Sequence, residues 1–386
     1  SPSLPPLFII PWRELNCFTA DADNLNDKSG RSDKSQVVFA SILRERLEKL
    51  NPNLPESAID FAEHELTKGR RAMTVMNANI EIYKMIREGV PVTFENDQGK
   101  EEPGRAMVVD FDTPENNDFL AVQQLWIKGE IGYRRPDVIL YINGLPLVFI
   151  ELKNNNVSVK NAYTENLATY KKELPQLFWY NAVTILSNGK ESRVGSFTAT
   201  WEHFGEWLRI EDEKERPDKK EIRKNSNSLK YTVNGLCTAP NILDYIENFV
   251  LFNNTAFKVT AKNHQFLGVN KAVESFDDRE EREGRLGVFW HTQGSGKSFS
   301  MVFLARKIFR KTKGNFTFLV ITDRKDLDTQ IYRNFLNMGA CAKGDTSRPK
   351  NSKELRVVLA TNKRYIFTLI QKFGFDKGKK FWIYKF

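Results

Sequence analysis

Residues 134–155 read RRPDVILYINGLPLVFIELKNN. Three of these residues have types and spacing that could do chemistry: Asp137, and then Glu151 and Lys153 on either side of Leu152. The Asn143-Gly144 pair between two apolar runs is a strong hairpin signal, and it pairs 137–142 with 145–153. Side chains alternate along a strand, so Glu151 and Lys153 share one face and Leu152 takes the other. The opposite strand starts at Asp137, beside the end that carries 151–153, so two carboxylates and an ammonium can converge. Two carboxylates can hold Mg²⁺, which favours oxygen ligands and keeps several waters. Such an ion makes water a better nucleophile and stabilises charge on a phosphoryl oxygen. A lysine beside it can orient that water or neutralise a pentacoordinate phosphate. The chemistry is metal-dependent phosphodiester cleavage. The competing reading of the same residues is a surface ion pair at a strand end. Pro136 before the aspartate, and a helix with Tyr170 after the lysine, favour cleavage.

A second constellation lies at 291–298, HTQGSGKS, between an apolar run at 285–290 that reads as a buried strand and a helical stretch. Gly294 and Gly296 let the backbone N–H groups of Thr292, Gln293 and Ser295 turn toward an anion, and the following helix N-terminus adds its dipole. Lys297 can reach outer phosphates, and the Ser298 hydroxyl can hold Mg²⁺. His291 stands where the usual first glycine of this loop would be. The next strand ends VITDRKDLDTQ, which puts Thr322, Asp323 and Arg324 just past a strand's carboxyl end, where open α/β sheets contact ligands. Thr322 or Asp323 can also cap a helix at 325–338. Upstream, in an amphipathic stretch, Gln265 offers a donor and an acceptor to an adenine edge.

The elements that must position these groups follow from periodicity. Helical spacing is read at 35–50, 56–68 and 72–88, strand and turn material at 91–126, then the hairpin, a helix at 161–176 and a strand in NAVTILSNG. This makes one α/β unit ending near 205. Residues 211–230, EDEKERPDKKEIRKNSNSLK, are almost entirely polar and read as a linker. A short helix at 240–252 precedes a second α/β pattern.

With 386 residues, 40% apolar and 28% charged, the chain suits two or three globular domains. A net charge of +9 leans toward an anionic partner without naming it. Three dispersed cysteines, Cys17, Cys237 and Cys341, argue against a disulfide framework and fit a reducing cytoplasm. The four histidines show no metal-ligand spacing with them. No apolar run reaches the ~20 residues of a membrane span, and LPPLFIIPW near the start is too short and proline-broken for a signal peptide. A first residue that is serine reads as a trimmed or partial product.

Several ordered blocks together are more specific than any one motif. RRPDVILYINGLPLVFIELKN, NNDFLAVQQ, LNPNLPESAI, LFWYNAVTILSNG, NHQFLGVNKAVE, VFWHTQGSGKS and ITDRKDLDTQI make the chain resemble the R subunit of type I restriction enzymes. The resemblance implies a PD-(D/E)xK nuclease domain at 1–205, a charged linker and connecting helix at 206–255, and a partial first RecA-like lobe of a superfamily 2 DNA translocase at 256–386. It implies ATP and Mg²⁺ as cofactors, double-stranded DNA as substrate, and assembly with methyltransferase and specificity subunits. Asp137, Glu151 and Lys153 match the family's nuclease triplet, with Asp137 and Glu151 the Mg²⁺ ligands. Gln265 matches its adenine-reading glutamine, Gly294, Gly296, Lys297 and Ser298 its first motor motif, and Thr322, Asp323 and Arg324 its DNA-contacting motif. The chain departs from the pattern in three places. Asn166, four residues before Tyr170, stands where the family has glutamine, and Gln36 stands where an acidic residue would join the metal. The sequence also stops at 386 without the Asp-Glu-Ala-His box that follows RYIFTLIQKF in the family. It therefore reads as a nuclease with part of a motor. Two rivals remain: a non-catalytic DNA-binding or assembly module of the same complex, and a phosphate-loop ATPase acting on something other than DNA.

Overall fold

The structure is a computed structural model that describes residues 12–96, 98–254 and 256–373. The apolar stretch at 4–11 and the final GFDKGKKFWIYKF lie outside the described residues. The chain forms two compact units, Ser1–Val250 with Thr255–Leu267, and Leu251–Asn254 with Gly268–Phe386.

The first unit is built on a seven-stranded mixed sheet in which strand order follows chain order. Its strands are β1 (Arg13–Asn16), β2 (Phe119–Gln123), β3 (Val138–Ile142), β4 (Leu145–Leu152), β5 (Val183–Ser187), β6 (Ser192–Gly195) and β7 (Gly205–Glu206). β1 runs parallel to β2 and β4 parallel to β5, and the other neighbours are antiparallel. β3 and β4 lie at the centre. Every residue from Val138 to Glu151 is buried, which explains why both runs are continuously apolar and do not alternate. Three helices precede the central strands: α1 (Ala40–Leu50), α2 (Glu56–Thr67) and α3 (Val75–Glu88). Each buries one apolar stripe, for example Leu43 and Leu47 of α1, or Ala78, Ile82 and Ile86 of α3.

The expected hairpin is present. Val138 pairs with Ile150 and Ile142 with Leu145, with a bulge near Tyr141. Asn143 and Gly144 have φ of 52° and 78°, the left-handed pair that a tight hairpin turn demands. Most hairpin tips face solvent, but this one is buried. Asn143 donates to the Val108 carbonyl and Asn117 Oδ1, both at 2.8 Å, and the Gly144 carbonyl accepts from Phe39 N–H at 2.9 Å. A Cβ at Gly144 would sit 2.5 Å from the Phe39 carbonyl oxygen and 2.9 Å from the Leu43 nitrogen. Gly144→Ala therefore combines left-handed strain with a backbone clash. It is expected to destabilise the unit by about 3 kcal/mol or more, read as a lowered urea midpoint. A parental midpoint would show that the tip is free to move.

Three sequence expectations change. The helix expected over 35–50 begins at Ala40, and Gln36 lies before it, its Oε1 accepting from Ser32 N–H at 3.1 Å. Of residues 206–255, expected as a charged linker and connecting helix, 206–250 pack within the first unit. Their charges flank a sparse set of apolar anchors, among them Trp207, Ile222, Leu236 and Tyr245, all buried, and the helices Lys219–Lys224, Ser228–Leu236 and Ala239–Asn248 carry most of them. Residues 285–290, expected as a buried strand, are exposed and form no strand. An apolar run becomes a strand only where a neighbour pairs its backbone, and no described strand pairs with this one.

In the second unit, β8 (Phe318–Thr322), β9 (Thr346–Ser347) and β10 (Tyr365–Leu369) form a parallel sheet with β10 in the middle. Helices Lys297–Lys311, Lys325–Asn337 and Ser352–Leu359 accompany it. Phe335 packs edge-on against Tyr365 and Phe367, with centroids 5.4 and 5.3 Å away. Among the described residues, no helix is long and apolar enough to cross a membrane.

Candidate active site

The end of the β3–β4 hairpin brings Asp137 and Glu151 together. The register that pairs Val138 with Ile150 sets Asp137 opposite Glu151, and the Leu152 N–H donates to Asp137 Oδ2 at 2.8 Å. Gln124 Nε2 donates to Asp137 Oδ1 at 3.1 Å, so both aspartate oxygens are held. Gln124 follows β2 with φ of 56°, an uncommon conformation for a side-chain-bearing residue, and its N–H donates to the Asp137 carbonyl at 3.0 Å.

Glu151 is 2% exposed. Its Oε1 accepts from the Asn166 amide, while its Oε2 is buried and accepts no hydrogen bond. Burial and the neighbouring Asp137 push its carboxyl up to about 9, against a smaller pull from Lys153 and Asn166. Burial likewise raises Asp137. Two carboxyls forced together, with one oxygen unsatisfied, are what a divalent cation would relieve, so the residues fit Mg²⁺ or Mn²⁺. Among the described residues there is no group of three or more acidic, histidine or cysteine side chains that could hold a metal. The chain thus offers two carboxylates and leaves the remaining positions to water or substrate, the mode Mg²⁺ prefers.

Asn166 sits in a π-helical turn, Ala162–Leu167, that leads into the α-helix Ala168–Glu173. Such wide turns recur at functional sites because they re-aim one side chain. Here the turn delivers the short asparagine to Glu151, the bond that a longer glutamine would be expected to make. Tyr170, one turn on, packs its ring edge-on against Phe149 at 5.4 Å and donates to the Arg135 carbonyl at 3.2 Å. Burial, with Glu151 and Asp137 adjacent, raises its hydroxyl well above the usual range. Lys153 is half-buried, its N–H donates to the Ser187 carbonyl at 2.8 Å, and its charge is felt at both carboxylates. Asp137, Glu151, Lys153, Asn166 and Tyr170 are therefore one cluster. Gln124 belongs to it as well. Only its place at the end of a strand hinted at this role, and the sequence does not show where that strand pairs.

The loop at 291–298 lies in the second unit. Gly294 and Gly296 have φ of 77° and 86°, and Lys297 opens the helix that follows. Lys297 Nζ donates to the carbonyls of His291 at 2.7 Å and Thr292 at 3.4 Å, closing the loop on itself. The Ser298 hydroxyl accepts from the Asn334 amide at 3.0 Å. Thr322, Asp323 and Arg324 follow β8, and the helix-capping position belongs to Arg324, which makes no side-chain cap, in place of the expected Thr322 or Asp323. The backbone turns into the helix one residue later than the sequence pattern implied. Gln265 belongs to the first unit, where its Oε1 accepts from Lys262 N–H at 2.9 Å.

A family model described as type I restriction enzyme R protein N terminus matches residues 7–203, and one described as SWI2/SNF2 ATPase matches residues 264–385. The chain is 39% identical over 363 residues to the type I restriction enzyme HindI endonuclease subunit of Haemophilus influenzae, covering 91% of this chain and 34% of that protein. It is 31% identical over 317 residues to a Methanocaldococcus jannaschii protein, provisionally named the type I restriction enzyme MjaIXP endonuclease subunit, covering 76% of this chain and 29% of that protein. The chain thus spans about a third of the length of these relatives.

Proposed function

The chain belongs to the type I restriction enzyme R protein family, and on that premise we propose that its first unit is a PD-(D/E)xK nuclease that cuts double-stranded DNA with Mg²⁺. The observation that carries this reading is the buried, unpartnered Oε2 of Glu151 facing Asp137 across the hairpin end. When bound there, the cation supplies Lewis-acid charge at the phosphoryl oxygen and eases loss of a proton from water. The chain's own groups do the rest. Gln124 and the Leu152 N–H fix Asp137, Asn166 fixes Glu151, and Tyr170 anchors the helix that carries Asn166. Lys153 orients the attacking water and balances the charge that grows on the phosphate as the P–O bond to the leaving strand breaks.

The second unit we assign to a first RecA-like lobe of a superfamily 2 motor that binds ATP. Its nucleotide-binding groups are Thr292, Gln293, Gly294, Ser295, Gly296, Lys297 and Ser298, with Thr322, Asp323 and Arg324 touching DNA. ATP phosphates would take the place of the His291 and Thr292 carbonyls on Lys297. Hydrolysis of the nucleotide needs groups arranged around the γ-phosphate beyond this loop. In this reading the protein works in the cytoplasm, where its three unpaired cysteines stay reduced, with methyltransferase and specificity subunits choosing the DNA.

The test is cleavage of plasmid DNA in Mg²⁺ or Mn²⁺ by the chain, alone and with partner subunits, beside Asp137→Ala. The parent is expected to cut and the variant not to. Parental cutting by Asp137→Ala would overturn the reading. A second expectation concerns Asn166. It is the hydrogen-bonding partner of Glu151, and such supporting bonds are worth about 10–100-fold in metal affinity. Asn166→Leu, similar in size, should weaken Mn²⁺ binding by about tenfold in calorimetric titration. Unchanged affinity would mean that the short amide contributes nothing to holding Glu151.

A further inference from the structure

Two residues before Asp137, the Arg135 guanidinium lies against two aromatic rings, with Cζ 4.9 Å from the centroid of Phe18 and 4.8 Å from that of Trp126. The rings are fixed to one another through the backbone. Trp126 Nε1 donates to the carbonyl of Thr19, next to Phe18, at 3.2 Å, and Phe18 N–H donates to Asn16 Oδ1 at 2.9 Å. Arg31, buried in an ion pair with Asp27, also donates to the Trp126 carbonyl at 2.8 Å. The platform is tied to the fold by these bonds, yet it reaches solvent: Phe18 is 57% exposed, and Arg135 and Trp126 are half-buried.

What the guanidinium lacks is a polar partner. Its neighbour Arg134 is paired with Glu173 at 2.6 Å, but Arg135 forms no ion pair and its side chain makes no hydrogen bond among the described residues. A guanidinium has five N–H donors in one plane, and stacking on rings occupies its faces and not its edge. The edge is preorganised for an anion that presents two oxygens side by side, as a phosphodiester does. Arg135 sits two residues from Asp137 in the chain, beside the hairpin end that carries the carboxylate pair.

We propose that Arg135, mounted on Phe18 and Trp126, grips a DNA phosphate close to the one that is cut and sets the strand's register over Asp137 and Glu151. The assignment rests on the nuclease reading and gives Arg135 a positioning role. Its bond to phosphate holds the backbone, while the cutting groups stay those of the hairpin end. The aromatic mount matters because an exposed arginine otherwise loses side-chain freedom on binding, and here that freedom is already gone.

The experiment measures binding of a short fluorescent duplex DNA to the full chain across a series of salt concentrations, with Ca²⁺ in place of Mg²⁺, and DNA cleavage by the same proteins in Mg²⁺. Arg135→Ala is expected to weaken binding about tenfold and to lower the slope of log affinity against log salt by about one, the signature of one lost phosphate contact. Arg135→Lys should restore the slope but not the full affinity, because it keeps the charge without the fork. Phe18→Leu, at an exposed position that costs the fold little, should weaken binding with the slope intact. A merely structural staple would move thermal stability and leave the salt slope at its parental value in all three variants. That outcome, or failure of the parent to bind duplex DNA, overturns the proposal. The nuclease reading fails separately, if Asp137→Ala still cuts. A dead Asp137→Ala beside an Arg135→Ala with parental slope removes the Arg135 assignment alone.

Discussion

Lys153→Ala is expected to lower DNA cleavage by about a thousandfold while leaving Mn²⁺ and DNA binding close to parental. Both carboxylates are held by other groups: Asp137 by Gln124 and the Leu152 N–H, Glu151 by Asn166. Lys153 donates no side-chain hydrogen bond to either among the described residues, so removing it leaves their geometry in place. What goes is a positive charge beside the phosphate, and that charge is worth most where charge develops as the bond breaks. A loss confined to the chemical step follows, seen in single-turnover cleavage with DNA saturating. Lys153→Arg should rescue poorly, since a broad planar guanidinium does not replace a compact ammonium. Single-turnover rates within about threefold of the parent for Lys153→Ala would remove the lysine from the reaction. The carboxylate pair would then have to act without it.

The groups proposed to carry this reaction were legible in the sequence to different degrees, and the reasons are physical. The hairpin could be read because its signals are local: an Asn-Gly turn, two apolar runs and a two-residue side-chain alternation fix Asp137 opposite Glu151 without long-range information. Tyr170 could be read on the helix that follows the lysine and Asn166 only through the family resemblance, and the π turn that aims Asn166 could not be read at all. Gln124 and the Phe18–Trp126–Arg135 platform escaped because their meaning lies in a backbone twist and in segments more than a hundred residues apart in sequence. The errors have a shared cause as well. Residues 206–250 look like linker by composition because a few large anchors such as Trp207 and Tyr245 are diluted by charge. Residues 285–290 look like core because apolar content is visible and the absence of a pairing strand is not. Composition averages over faces, and burial depends on which face meets a neighbour.

Glu151→Gln should abolish cleavage and yet raise the stability of the metal-free protein. Burial and Asp137 hold the Glu151 carboxyl up to about 9, against the ordinary 4.5. Between those values the folded state keeps a proton that an unfolded glutamate has released. The folded state therefore binds more protons, and its stability falls as pH rises through that window. At pH 8 the cost is on the order of 5 kcal/mol. Glutamine has nearly the same shape, can still accept from Asn166, and has no proton to lose, so the cost vanishes. In EDTA the variant should melt above the parent at pH 8, and the gap should close toward pH 5. Adding Mn²⁺ should reverse the order, because the cation stabilises only the site with two carboxylates. Cleavage by the variant should be undetectable for the same reason. A variant less stable than the parent at every pH from 5 to 8 in EDTA would mean that Glu151 is satisfied without metal. The site would then be a buried structural pair, and the hairpin end would have no call for a cation. The opposite shifts in stability and activity are what separate a strained, metal-awaiting carboxylate from an ordinary buried one, and melting curves alone detect the first half of that difference.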